Sequence, residues 1–571
     1  LIVSHITHIS TTMKRFQHYL LSLLALTLGL ASCSKDKEYQ RVIPSDASVV
    51  VALELESLAK KADVTSKENK LLREKLVSSM GSTDEEKFFK ETMESPSKTG
   101  LDLTSPVYGF SSPRVSWALV VRVKDEAKVK DFLSKLYSFD GDAKHEIKQE
   151  DGIYFSISPS SSEAHRERYE LDPDLPAEEQ DTTTYEVPAD ISICAFSKKA
   201  FITLHTEEGT IAAAKKLIKE YLTQGEDKSF VRSSYFRDLE AQGGDIRAFI
   251  SPTRLAKTEG LSMPPLLEAL GKNPRYGKID MEKISALFSL SFEKGEISGK
   301  MVYTSEDKDQ IKYMKELSEK VSPEAISGAL IKYLPAQAYV TGAAHVDLQA
   351  VLNHYTSNSE FAKLLEESKT EGIDLAGIVT TLGRELACSF SKVDVASNDY
   401  GFVAYLQTKD ASLVDLVSRK ISESVKKKEA EGGEYPSRKL VDEGNHCYEV
   451  SIPYSPSIYF GYRDGVSYFT ISKDMKSKIL QPVSEDFSKH RDYAQLKGTH
   501  AFSLIDFKTI FNTSPTQDMI QMFIGEESMK QLRKLQSLSF SSNGFETELH
   551  LKLDTKDNAL KALLGIMSAL N

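Results

Sequence analysis

Cysteine and tryptophan are scarce in this chain of 571 residues, at four and one. No two cysteines stand at dithiol or zinc-ligand spacing, which excludes a disulfide-stapled scaffold and the common zinc modules. An apolar run long enough to span a membrane is also missing. The longest, Tyr19 to Ala31, has 13 residues, whereas a spanning helix takes about 20. Basic residues are outnumbered, 72 against 83 acidic, for a net charge of −11. That balance argues against nucleic acid as a partner, because phosphate backbones select basic surfaces. Gly-rich phosphate loops, His-Glu-x-x-His and Gly-x-Ser-x-Gly are all absent. Ser95-x-x-Lys98 and Ser424-x-x-Lys427 have the spacing of a penicillin-binding nucleophile, but their Ser-Asp-Asn and Lys-Thr-Gly companions are lacking. The sequence therefore nominates no catalytic residue, no cofactor-binding residue and no metal ligand.

The weaker candidates read as structure. Asp102, Asp280 and Asp374 recur in similar Gly-x-Asp or Gly-x-x-Asp settings and are expected to cap helix N-termini. His446, Cys447 and Glu449 come nearest to a ligand cluster, but neighbours on a strand face opposite ways. Lys426-Lys427-Lys428 before Gly432-Gly433 reads as a solvated helix end favoured by the dipole. Cys194, Cys388 and Cys447 are far apart. The first two sit in apolar strand-like runs, as small buried thiols.

The most informative segment is the leader. Met13-Lys14-Arg15 precedes the apolar run, which ends in Leu30-Ala31-Ser32-Cys33. A 13-residue core behind a basic start has the length of a secretory signal. The four closing residues resemble the lipobox of bacterial lipoproteins. That resemblance implies acylation of Cys33, cleavage before it, and a membrane anchor of more than one chain, which holds stably where a single chain does not. Ser34 after the cysteine implies outer-membrane sorting, and Ser34-Lys35-Asp36-Lys37-Glu38 partly resembles the charged tether of surface lipoproteins. Without residues 1–32 the chain has 539 residues and a net charge of −13, too long for one core.

The remainder echoes itself. Pro44-Ser45-Asp46-Ala47-Ser48-Val49 recurs as Pro335-Ala336-Gln337-Ala338-Tyr339-Val340, and Gly100-Leu101-Asp102-Leu103 as Gly372-Ile373-Asp374-Leu375. Ala127, Asp131 and Ser134 match Ala411, Asp415 and Ser418. Leu287 to Phe292 align without a gap on Leu535 to Phe540, pairing Phe292 with Phe540. A strand leading into a short helix is expected four times, at Val49–Ala59, Arg247–Ala256, Tyr339–Leu352 and Ala501–Phe511. Period-two alternation around Gly295, Asn543-Gly544 and Asp464-Gly465 predicts antiparallel hairpins. Apolar stripes at Ile211/Ala214/Leu217/Ile218/Tyr221, Ile311/Met314/Leu317/Val321 and Leu560/Leu563/Leu564/Met567/Leu570 predict covering helices.

These signals predict an α+β fold: tandem duplicated modules of mostly antiparallel sheet covered by amphipathic helices. Residues 1–32 are read as upstream residues and signal peptide, 33–41 as tether, 42–330 as the first module and 333–571 as the second. Ser158 to Asp190, acidic and holding four prolines, is expected to be a disordered loop, and its Asp181-Thr182-Thr183 resembles an O-glycosylation acceptor at Thr182. With leader, Pro44 opening and Gly-x-Asp-Leu in hand, the whole mature chain resembles an uncharacterised family of Bacteroidetes lipoproteins, a domain of unknown function. The expectation is a lipid-anchored outer-membrane protein, without cofactor, that binds an envelope or extracellular protein or glycan and no nucleic acid. An envelope hydrolase or processing factor with a cleft between the modules is the alternative.

Overall fold

The computed structural model describes residues 38–63, 83–139, 147–157, 165–167, 185–187, 191–206, 210–257, 275–276, 278–356, 359–370, 372–394, 399–430, 438–453, 455–513 and 516–570. Cys33, Thr182 and the leader lie outside them. The chain forms two compact units, each a mixed structure of helices and antiparallel sheet. Unit 1 holds residues up to Pro274 together with Met281–Phe292 and Thr304–Glu306; unit 2 holds the rest.

The strands of unit 1 are β1 (Val49–Leu53), β2 (Leu101–Asp102), β3 (Val107–Ser112), β4 (Val115–Val123), β5 (Ile147–Glu150), β6 (Ile153–Ile157), β7 (His165–Glu167), β8 (Tyr185–Val187), β9 (Ile191–Phe196), β10 (Ala200–Thr206) and β11 (Ile246–Ile250). After two short strands of unit 2, β12 (Arg275–Tyr276) and β13 (Ile279–Asp280), comes β14 (Ser285–Glu293). Antiparallel ladders join them in the order β14-β11-β1-β3-β4-β10-β9-β6-β5. Asp151 and Gly152, at φ 53° and 79°, make the two-residue turn of β5–β6 that right-twisted strands favour. One face packs on helices. From the stripe Ile211–Thr223, the residues Ala214, Ile218 and Tyr221 are buried as expected.

Unit 2 continues with β15 (Glu296–Thr304), β16 (Val340–His345), β17 (Leu382–Asp394), β18 (Asp399–Thr408), β19 (Lys439–Gly444), β20 (Cys447–Ser451), β21 (Ile458–Arg463), β22 (Val466–Thr470), β23 (Ala501–Ile505), β24 (Leu535–Ser542) and β25 (Glu546–Leu553). Its order is β15-β25-β24-β23-β16-β17-β18-β22-β21-β20-β19. From β24 to β19 this is the same sequence of pairings as β14 to β5 in unit 1. Smaller features agree. Pro44 bridges Ser229 where Pro335 bridges Asp486, and the fully buried Phe230 and Phe487 each follow that bridge. All four expected strand-to-helix steps occur, with helices Leu55–Ala62, Pro252–Ala256, Leu348–Tyr355 and Phe507–Asn512.

Several expectations need correction. The fold includes Glu38 to Arg41: Tyr39 and Gln40 are buried, so this part of the expected tether packs on the first unit. The module border is not at 330, since β15 pairs with β25 and the helix Lys308–Val321 belongs to unit 2. The ungapped pairing of Phe292 with Phe540 fails. Ile250 opposes Ala286 and Ile505 opposes Leu538, so Phe288 occupies the place of Phe540. A slip of four residues keeps the same face, which is why the alternation concealed it. Asp102 and Asp374 are not equivalent either. Gly100 O accepts from Lys124 N where Thr381 O accepts from Lys409 N, which aligns Asp102 with Gly383. The hairpin after β24 turns on Gly544-Phe545, with Gly544 at φ 88°, while Asn543 bonds Glu546 across it. On the last helix Ile566 is buried and Met567 exposed, a face one residue away from the expected stripe. Within 158–190, His165–Glu167 and Tyr185–Val187 pair as a short ladder, so part of the segment expected to be disordered has regular structure.

Candidate functional site

The sequence-derived candidates disperse. Asp374 caps the helix Leu375–Thr381 through Gly377 N at 3.0 Å. Asp102 does not cap a helix; it holds the Thr104-Ser105 turn and pairs with Arg122 at 3.1 Å. Asp280 precedes a short 3-10 turn, and its N–H donates to Gln310. His446 sits in a turn at φ 58°, not in a strand, and its Nδ1 lies 2.8 Å from Asp415. Cys447 instead takes the Tyr468 hydroxyl at 3.2 Å, so the two do not converge. The three described cysteines are free and half-buried, and burial pushes the thiols of Cys194 and Cys388 up. Ser424 and Lys427 are exposed on the helix Ser412–Ala430, while Lys98 pairs with Glu91. Among the described residues no group of three or more His, Cys, Asp or Glu can hold a metal ion, and no helix is long and apolar enough to cross a membrane.

The ladders do assemble polar clusters that no motif announced. In unit 1, Glu54 follows β1 and Asp245 precedes β11, one step beyond the Leu53–Ile246 pair, with Glu54 N donating to Asp245 O at 2.9 Å. Each acid has a cation. Arg247, buried, reaches Glu54 at 2.5 Å and Glu240 at 3.3 Å. Lys61 reaches Asp245 at 2.8 Å, and Ser57 and Phe292 N also donate to it. Glu240 further accepts from the buried Tyr108 hydroxyl at 2.9 Å, which accepts from Gln40. Burial raises Glu54, Arg247 opposes that, and Glu240 and Asp245 add to it. Burial drives the Tyr39 and Tyr108 phenols far above their ordinary range, so both stay neutral donors.

The same rung in unit 2 carries different chemistry. His345 ends β16 opposite His500 before β23, with His345 N donating to His500 O at 2.7 Å. On the other side Glu385 opposes His345. Glu385 is buried and accepts from Ser327 N, Ser327 Oγ and Leu330 N, holding that loop. Burial, and next the neighbouring His345, hold the His500 ring below its ordinary pKa.

A second cluster of unit 2 surrounds Asp506, the N-cap of Phe507–Asn512. Its carboxylate takes His490 Nε2 at 3.0 Å, Arg491 at 2.6 Å, Thr509 N at 3.2 Å and Thr509 Oγ1 at 2.7 Å. Asp492 N donates to His490 Nδ1, which fixes the proton on Nε2 and leaves that ring no nitrogen for a nucleophile. Lys552 pairs with Asp492 at 2.7 Å. Burial would raise both acids. The hydrogen bonds and cations outweigh it, and Asp506 lies far below the carboxylate range. The place of Asp506 is taken by Ser251 in unit 1, where Ser251 N donates to Ser48 O as Asp506 N does to Tyr339 O.

Two units of antiparallel sheet, helix-covered and crossed by partly buried ion pairs, define an α+β protein, and among the described residues no recognisable catalytic constellation forms. The chain belongs to the family described as Domain of unknown function (DUF4836), which matches residues 39–169 and 176–560. No curated protein matches it. Among solved structures it is similar to "Structure of crystal form I of TP0453", at 12% identity over 52% of this chain and 89% of that one, with a TM-score of 0.22.

Proposed function

We propose that this protein is a bacterial outer-membrane lipoprotein, of the Bacteroidetes type, anchored by acylated Cys33, and that it is a binding protein of the envelope with no enzymatic role. Leu30-Ala31-Ser32-Cys33 closing a 13-residue apolar run carries the reading. Burial of Tyr39 and Gln40 supports it in one respect, because the fold begins within six residues of the acyl site and the sheet would be held close to the membrane. The buried clusters favour binding over catalysis. Asp506, Asp245 and Glu385 spend their lone pairs on capping and loop-holding donors, which is structural work. A protein or glycan of the envelope is the partner class.

The matched order of strand pairings supports a second element of the reading, that one gene segment was duplicated to make both units. The decisive experiment concerns the anchor. Wild type expressed in a bacterial host should fractionate with membranes and incorporate an alkyne-tagged fatty acid, and Cys33→Ala should do neither. A Cys33→Ala protein that fractionates and migrates like wild type refutes the proposal. An unshifted mass for the Thr182 peptide from native cells would refute glycosylation there.

A further inference from the structure

The rung that crosses β16 and β23 leaves two nitrogens unaccounted for. Nδ1 of His345 and Nδ1 of His500 are both buried and take no hydrogen-bond partner among the described residues. His345 is only 5% exposed, so water does not supply what the protein withholds. Buried polar atoms are nearly always satisfied, and an orphan costs roughly 1–3 kcal/mol. Two orphans on one rung therefore call for a shared explanation.

Their positions supply it. His345 and His500 lie one step beyond the Ala344–Ala501 pair of an antiparallel ladder, joined by the 2.7 Å backbone bond. Opposed residues project from the same face with Cβ atoms about 5 Å apart. The two imidazoles are near enough for His345 to act electrostatically on His500, and each carries a buried nitrogen without a partner among the described residues. Glu385 stands opposite His345 on the next strand and adds a buried carboxyl group to the electrostatics. Gly544 flanks the other side. A Cβ there would meet Ser318 Oγ and would lie 3.9 Å from His500 Nδ1, so the glycine, at φ 88°, keeps that flank narrow and brings a hydroxyl near it. The equivalent rung of unit 1 offers a comparison. There the opposed residues are Glu54 and Asp245, and each has its cation from the protein, Arg247 and Lys61. In unit 2 the corresponding residues are imidazoles, and among the described residues no protein group bonds their Nδ1 atoms.

We propose that His345 and His500 form a two-imidazole site for a borderline divalent transition-metal ion, zinc by availability, with solvent or the Ser318 hydroxyl completing the shell. Imidazole is the preferred donor of Zn²⁺, Co²⁺, Ni²⁺ and Cu²⁺, whereas Ca²⁺ and Mg²⁺ require oxygen ligands and are excluded. The depressed basicity of His500 keeps its ring in the neutral, ligating form at neutral pH. With two protein ligands the site is weaker than a four-ligand structural site, as suits an ion that is exchanged or shared with a bound partner.

The test is titration of the purified full chain with Zn²⁺, and with Co²⁺ as a visible-absorption probe, at pH 7.5 and again at pH 5.5. Wild type should bind about one zinc per chain with a rise in Tm, and binding should weaken at pH 5.5 because protons compete with the metal for its ligands. His345→Ala and His500→Ala should each lose at least tenfold in affinity, since losing even an outer-shell partner costs about 10–100-fold. His446→Ala, which alters the exposed His446–Asp415 pair, should not change it. Because an alanine variant could misfold, far-UV circular dichroism and metal-free Tm are taken alongside, and His345→Gln/His500→Gln is carried as the volume-conserving pair. The proposal is overturned if zinc neither binds nor raises Tm, or if the folded glutamine pair binds zinc as wild type does. A wild type whose stability responds to acid alone, and not to zinc, also overturns it and leaves the pair as a proton-sensitive contact.

Discussion

Asp506→Ala should be among the most damaging single substitutions in unit 2. The wild-type carboxylate is 1% exposed and serves four donor groups on three residues. Removing it strands the Thr509 N–H, an uncapped helix donor worth about 1 kcal/mol. It also strands the buried His490 Nε2–H, at roughly 1–3 kcal/mol. Breaking a buried ion pair costs about 3–5 kcal/mol, but Arg491 is 36% exposed, so water recovers part of that and the contribution is discounted. These costs overlap, and the expected net loss is about 3 kcal/mol. Asp506→Asn retains an oxygen for the cap and should lose about half as much. The measurement is urea unfolding followed by circular dichroism at 222 nm, read as a shift in midpoint. The pH dependence supplies a second check. The folded pKa of Asp506 is depressed below the unfolded value of about 3.9, so its contribution is complete above that value and is lost as pH falls through the folded value. Wild type should therefore lose stability between about pH 4 and pH 2 faster than Asp506→Ala. A loss under about 1 kcal/mol, or parallel acid profiles, would refute the reasoning.

Three further outcomes follow from unit 1. Arg247→Ala leaves the half-buried Glu54 and Glu240 without their shared cation and should cost about 2–3 kcal/mol, the buried-pair penalty discounted for the exposure of the acids, measured by the same unfolding; a loss below about 1 kcal/mol would mean that the acids are not held by Arg247. Tyr108→Phe removes the link between Gln40 and Glu240 without opening a cavity, and should lower stability by about 1–2 kcal/mol, visible as a Tm drop of a few degrees. Gly100→Ala puts a Cβ against Asp125 O and Val129 N at φ 75°; it should destabilise by at least about 1 kcal/mol, whereas Gly152→Ala, which meets nothing, should be limited to its φ penalty.

Local physics was legible in the sequence. Alternation found the strands, because a sheet with one buried face needs period two. Asp464-Gly465 announced its turn, as both positions take positive φ. All four strand-to-helix steps were visible. What escaped was register. Aligning the two hairpins by residue type hid a four-residue slip, because period-two patterns repeat on themselves and the true offset is fixed by neighbours such as β11 and β23. The helix stripe at the carboxyl end failed for a related reason. With Leu and Ile all round, the pattern could not separate Ile566 from Met567.

The polar rungs escaped for a deeper reason. Glu54 meets Asp245, and His345 meets His500, across more than 150 residues of chain, so spacing rules for ligands and catalytic groups never bring them into one window. A motif search is sensitive to sites built on one loop or one helix; this fold builds its polar sites by laying the end of one strand beside the start of another. Under the duplication proposed above, the two rungs descend from one position, and the frame around them is retained: the same backbone bond, the same helix step, the same neighbouring strands. The side chains differ, charge-paired acids in unit 1 and imidazoles in unit 2, so the shared backbone frame accepts both chemistries. In unit 1 the acids of the rung are engaged by cations and backbone donors, whereas in unit 2 the buried Nδ1 atoms have no partner among the described residues. The rung of unit 2, whose two buried nitrogens have no partner among the described residues, is accordingly the first place in this chain to look for a ligand.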